Sequence, residues 1–89
     1  MSEKFDLIVD VRSKIEFLFG HLPNAVCIPV NHLPDDLASR ADVSRNSRIL
    51  LYCASGARSA AAAAQLEAAG FTNVVDGGGM SSAKRYVED

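Results

Sequence analysis

Apolar positions in this chain come in short runs broken by polar residues, and the runs alternate between strand-like and helix-like spacing. Phe5-Asp6-Leu7-Ile8-Val9-Asp10-Val11 is β-branched and largely apolar, and predicts a strand over 5–11. Ser13 then stands as the cap of a short helix over 14–19, with Glu16 three residues on as a capping box requires and Gly20 as the stop. Ala25-Val26-Cys27-Ile28 reads as a second strand closed by Pro29. Residues 33–40 suit a short helix with proline and acids in its first turn, and 42–46 a polar loop. A third strand is expected over 48–52, then an alanine-rich helix over 58–69 with Gly70 as its C-terminal stop. A fourth strand over 73–76, a flexible turn at Gly77-Gly78-Gly79 and a last helix over 81–87 complete the pattern. Strands that alternate with helices imply an α/β fold: a mainly parallel sheet of four to five strands with helices on both faces. In such sheets the functional crevice lies at the carboxyl ends of the strands. Cys53, Asp10 to Arg12 and Asp76 to Gly79 all fall there.

Length and charge narrow the classes of function. Eighty-nine residues make one small domain over 1–89, with neither internal repeat nor linker. The net charge is −2 and the basic residues are scattered, which argues against a nucleic-acid partner. The longest apolar runs are far too short to span a membrane. Met1-Ser2-Glu3-Lys4 lacks the apolar core of a signal peptide, so a cytoplasmic location is expected. A mature exported protein placed behind a new methionine would read the same way. Two distant cysteines make neither a disulfide framework nor a Cys-x-x-Cys pair.

The chemistry concentrates in Cys53-Ala54-Ser55-Gly56-Ala57-Arg58-Ser59. A cysteine that ends a strand and heads a short loop into a helix sits where backbone N–H groups converge and the helix N-terminus adds a positive field. Both favour thiolate over thiol. The bland alternative, a buried cysteine acting as a small hydrophobe, fits poorly with a glycine-containing polar loop. Arg58 opposes the helix dipole, so stability gives no reason for it; it either holds an anion by parallel hydrogen bonds or is a solvated surface residue. Ser55 and Ser59 are either donors to a sulfur or oxyanion, or simply turn and first-turn residues. Gly56 lets the backbone turn sharply. Cys27, inside an apolar strand, reads as a packed core thiol, and His21 as a structural histidine beside the Gly20 turn. Neither histidine has metal-ligand spacing, so no metal and no cofactor are expected.

Three segments, in order, resemble the rhodanese family and particularly its single-domain members. They are Ile8-Val9-Asp10-Val11-Arg12 with Glu16-Phe17, Gly20-His21-Leu22-Pro23 and Ile28-Pro29; then Leu51 to Ser59; then Leu66, Ala69-Gly70-Phe71, Asn73-Val74 and the glycines at 77–79. The resemblance implies a thiosulfate sulfurtransferase in which Cys53 cycles through a persulfide. The donor is thiosulfate or a relative of it; the acceptor is cyanide, a thiol or a sulfur-accepting protein. The outer sulfur would lie among the N–H groups of residues 54 to 58, with Arg58 orienting the sulfonate and Asp10 and Arg12 as a supporting shell. Related phosphatases and arsenate reductases carry five residues between cysteine and arginine, with histidine before the cysteine. This chain has four, with Tyr52 in that place, which leaves phosphatase chemistry a minor alternative. The main rival is a sulfur-carrier or regulatory binding module with little thiosulfate turnover.

Three departures from the family pattern stand out. Asn24 replaces a glycine, and asparagine tolerates left-handed backbone. Met80 and Tyr86 stand in for an absent tryptophan after Gly79. The element that usually precedes the Asp10 strand is also missing, which leaves a sheet edge where either a monomer or a homodimer is conceivable.

Overall fold

The computed structural model describes residues 5–88. Its centre is a pair of apolar parallel strands, β1 (Leu7–Asp10) and β3 (Ile49–Cys53), in register from Leu7 opposite Ile49 to Asp10 opposite Tyr52. Strand β2 (Ala25–Cys27) flanks β1 and β4 (Val74–Gly79) flanks β3, so the all-parallel order is β2-β1-β3-β4. Every residue of β3 is buried, as expected of a strand covered on both faces. Alternation along the strands divides the core in two. Val9, Ile49, Leu51 and Cys53 face α3 (Ala57–Ala68) and Leu37 of α2 (Asp35–Ala38). Tyr52 and Ile8 face α4 (Met80–Val87), where Ala83 and Met80 meet them. The expected α/β sheet with helices on both faces is therefore present.

Helix α3 packs closely because its buried stripe, Ser59, Ala62 and Leu66, is small near the loop and large away from it. Its end is a Schellman motif: Gly70, at φ +93°, donates to Glu67 O and Phe71 to Leu66 O, so Gly70 is the stop the sequence predicts. Helix α1 (Lys14–Leu18) is unusual in burying no residue at all. Polar ties at its ends hold it: the full Ser13–Glu16 capping box at one end, and His21 stacked on Phe17 at 3.6 Å at the other. Asn24 adopts φ +67°, the left-handed geometry expected of it.

Several boundaries differ from expectation. The first strand is shorter at both ends, and Phe5 instead meets Tyr86 edge-on at 6.3 Å. The second helix shrinks to Asp35–Ala38, after a 3-10 turn at Val30–His32. The larger correction concerns Gly77-Gly78-Gly79, which form no flexible turn. They are the second half of β4, reached through a register shift in which Leu51 pairs with Asp76 but Cys53 pairs with Gly79. The extra residue is accommodated by Gly78 at φ +76°, whose N–H is held by Asp76 Oδ1 at 3.0 Å.

These glycines answer to space. A Cβ on Gly77 would lie 2.9 Å from both Ala83 Cβ and Leu51 O, and one on Gly79 would lie 2.7 Å from Ala54 O. Gly77→Ala is accordingly expected to destabilise the fold by about 1–3 kcal/mol through overpacking. Urea unfolding midpoints test this, and an unchanged midpoint would show that β4 shifts against both α4 and β3 at little cost.

Candidate active-site loop

Cys53 is the last residue of β3, and the loop after it folds back over the sulfur. Gly56 enters a left-handed conformation, φ +104°, and so turns its N–H toward Cys53 Sγ at 2.9 Å. The first turn of α3 then brings the Ser59 N–H to the same sulfur at 3.3 Å. Ser59 Oγ donates to Gly56 O at 3.0 Å, locking the turn, and reaches Gly78 O at 3.4 Å. The close pass of Gly79 against Ala54 fixes the far side of the loop. Ala54, Ser55 and Ala57 are exposed above the sulfur, while Cys53 itself has no accessible surface.

Two opposed effects act on this thiol. Burial pushes its pKa up, since a thiolate loses water there. The Ser59 N–H, the Ser59 hydroxyl and the N–H groups of Gly56 and Ser55 together outweigh burial and hold the pKa below the ordinary thiol value. Cys27 shows the contrast: with no such donors, burial raises its pKa. Nor is Cys27 the packed core thiol expected of it. It is half-buried, lies 3.6 Å from Arg12 O and borders a small cavity with Lys14 and His32, because β2 is an edge strand open on one side.

Arg58 makes a contact that sequence reasoning missed. Its Nη1 and Nη2 donate to Glu16 Oε1 and Oε2 at 2.7 and 3.0 Å, a bidentate pair between the start of α3 and α1. Glu16, foreseen only as a capping residue, also accepts from Ser13 N and Ser13 Oγ at 3.1 and 3.0 Å. The Arg58 bonds, then those of Ser13, hold the Glu16 carboxyl down at about 2. Forty-two positions separate the partners, and no local pattern joins them. The one available signal was that Arg58 lacked a stabilising reason to stand at a helix N-terminus.

Asp10 and Arg12 do come together, at the carboxyl end of β1. Asp10, wholly buried, accepts from Arg12 N at 2.9 Å, Nε at 2.9 Å and Nη2 at 2.7 Å, and Arg12 Nη2 passes on to Gly20 O at 2.6 Å. The guanidinium lies 5.9 Å from the ring centre of Tyr52, whose oxygen accepts from Leu22 N at 3.0 Å. Burial first of all pushes the Tyr52 phenol up to about 12, so it stays protonated and structural. His21 bonds Phe17 O at 2.8 Å, as a structural histidine should. Among the described residues, no group of three or more His, Cys, Asp or Glu could hold a metal ion, and no helix is long and apolar enough to cross a membrane.

A parallel sheet whose central strand ends in a cysteine that accepts two backbone N–H bonds defines an α/β domain with one hydrogen-bonded thiol at the head of its longest helix. The chain belongs to the rhodanese-like domain family, whose model matches residues 1–84. It is 32% identical over 94 residues to the tRNA uridine(34) hydroxylase of Buchnera aphidicola subsp. Baizongia pistaciae, covering 100% of this chain and 29% of that protein. It is 32% identical over 88 residues to the adenylyltransferase and sulfurtransferase uba4 of Ogataea parapolymorpha, covering 98% and 22%. The chain thus spans about a quarter of the length of the curated relatives it matches. Among solved structures it is similar to a rhodanese from E. coli determined with anions, with TM-score 0.79, 26% identity and coverage of 85% and 88% of the two chains. A rhodanese-like domain protein from Staphylococcus aureus gives TM-score 0.73 and 36% identity, over 99% and 79%.

Two outcomes follow from this geometry. Alkylation by iodoacetamide tracks thiolate, so its rate at Cys53 should level off at lower pH than at Cys27; peptide mapping across a pH series measures both, and the reverse order would contradict the donor ring. Arg12→Ala strands a buried carboxylate and should cost about 3–5 kcal/mol in urea unfolding. A variant as stable as the parent would mean that Asp10 finds water.

Proposed function

We propose that the chain is a sulfurtransferase carrying sulfane sulfur on Cys53 as a persulfide. The observation that carries this reading is the pair of N–H groups, from Gly56 and Ser59, aimed at one sulfur. The Cys53 thiolate attacks the outer sulfur of thiosulfate; the S–S bond of the donor breaks and sulfite leaves with the bonding pair. Cyanide or a thiolate then attacks the outer sulfur of the persulfide, taking it as thiocyanate or as a new persulfide and returning Cys53 as thiolate. No oxidant or reductant enters, and this is nucleophilic catalysis in two displacements.

The loop residues Ala54 to Ala57 and Ser59 supply the cradle, in which backbone N–H groups stabilise the thiolate and then the negative outer sulfur. Arg58 is the anion site for the donor's sulfonate, in competition with Glu16. Asp10 and Arg12 act by holding the carboxyl end of β1 against Tyr52, the residue before the nucleophile. Because Cys53 has no accessible surface, a donor reaches it only as the exposed loop segment opens. Family membership, a relative named as a sulfurtransferase and a structural neighbour solved with anions all support the reading.

The second reading is a sulfur-carrier module that accepts persulfide sulfur but turns over thiosulfate poorly. The burial of Cys53 and the engagement of Arg58 by Glu16 favour it. One experiment separates the two. After incubation with thiosulfate, intact mass should rise by one sulfur atom, the gain should be absent in Cys53→Ser, and cyanide should reverse it. Rapid repeated turnover supports the enzyme, whereas a single slow loading supports the carrier. Sulfur found on Cys27, or persulfide formed by Cys53→Ser, would refute both.

A further inference from the structure

Helix α1 has no fully buried residue, yet its one acidic residue is bonded on every side. Glu16 Oε1 accepts from Arg58, Ser13 N and Ser13 Oγ, and Oε2 accepts from Arg58 again. The carboxylate cannot swing off the guanidinium without also giving up its bonds from Ser13 N and Ser13 Oγ. The two side chains are about one-third exposed (39% for Arg58, 34% for Glu16), so water screens the pair only in part. Paired fork to fork, Arg58 has both Nη groups engaged by Glu16, and an incoming sulfonate meets a parallel N–H pair only along the Nε edge, beside that carboxylate. Arg58 also borders an open cavity of about 380 Å³ with Val11, Ser13, Lys14 and His32.

We propose that Glu16 is a charge-selecting residue of the Cys53 site: it occupies Arg58, sets a negative charge beside the donor's path, and so disfavours dianionic sulfur donors relative to uncharged ones. This rests on the sulfurtransferase reading and specifies its substrate class. A dianion loses twice, since the carboxylate already holds the end-on face of Arg58 and repels a second anion at the remaining edge. An uncharged donor feels neither effect and depends only on the thiolate and its N–H ring. Glu16 does not touch the sulfur, so its action is exerted through Arg58.

The test compares two donors on Glu16→Gln, which keeps the capping hydrogen bonds, because glutamine serves at that position of a capping box, and removes the charge. The dianionic donor is thiosulfate. The uncharged probe is methyl methanethiosulfonate: the Cys53 thiolate attacks its sulfenyl sulfur, methanesulfinate leaves, and a methyl disulfide remains on Cys53. Glu16→Gln should raise the rate of persulfide formation from thiosulfate about three- to fivefold, the scale of a partly screened ion pair. The gain should lie in KM, with the maximal rate little changed. Reaction with the uncharged probe should change less than about twofold on the same scale. Adding Arg58→Ala to Glu16→Gln should abolish the thiosulfate gain.

Persulfide formation that is unchanged or slower in Glu16→Gln overturns the inference while leaving the sulfurtransferase reading standing. Equal acceleration of both reagents also overturns it, since the effect would then lie on the thiol. A Cys53 that reacts with the uncharged probe but takes no sulfur from thiosulfate in any variant overturns the inference and the parent reading together.

Discussion

The buried pair between Asp10 and Arg12 organises more of this molecule than any other contact. Asp10 closes β1 at the centre of the sheet, where an unpaired carboxylate would cost several kcal/mol. Arg12, two residues on, must therefore fold back over it, and its backbone N–H and guanidinium both bond the same carboxylate. That return places the guanidinium against Gly20 O, which fixes the turn after α1. The ladder continues beside it: Val11 N–H bonds Tyr52 O, and Tyr52 receives Leu22. Chain direction on both sides of the candidate site is thus set by one ion pair, and it contributes specificity of arrangement as well as stability.

Above this base, the sulfur's environment comes from geometry alone. No basic side chain donates to Cys53 Sγ among the described residues; its donors are backbone N–H groups that one left-handed glycine and one helix turn direct inward, with the Ser59 hydroxyl beside them. Such donors are fixed dipoles, already oriented and hard to titrate away, and they serve thiolate and persulfide equally well. The burial that disfavours a charged sulfur also strengthens these bonds, because little water competes for them.

Much of this was legible from residue order, for identifiable reasons. β-branched runs such as Ile8-Val9 and Ile49-Leu50-Leu51 have few alternatives to buried strands, and Ser13 with Glu16 could be read as a cap because the signal is local. Cys53 stood out because the end of a strand before a glycine-containing loop is a poor place for an inert thiol. The glycines at 77–79 misled because glycine ordinarily marks a turn. Their reason for being glycine is the position of Ala83 and Ala54, which only the packed chain defines. The Glu16–Arg58 pair was invisible for the same reason. Cys27 was read as core because its neighbours in sequence are apolar, whereas exposure depends on which strand stands at the edge.

The double employment of Glu16 narrows the routes along which this sequence can drift. A residue that only capped α1 could be exchanged freely for others that bond a backbone N–H, and a residue that only neutralised Arg58 could become aspartate. Sharing one side chain between both tasks removes most of these exchanges. Aspartate is too short to span both contacts, alanine forfeits the side-chain half of the capping box, and lysine would repel Arg58. Glutamine alone retains the cap while altering the charge. A lineage that changes its preference among sulfur donors without losing α1 therefore has one narrow gate, and homologues with glutamine at this position are where a shifted appetite for anions should first be sought.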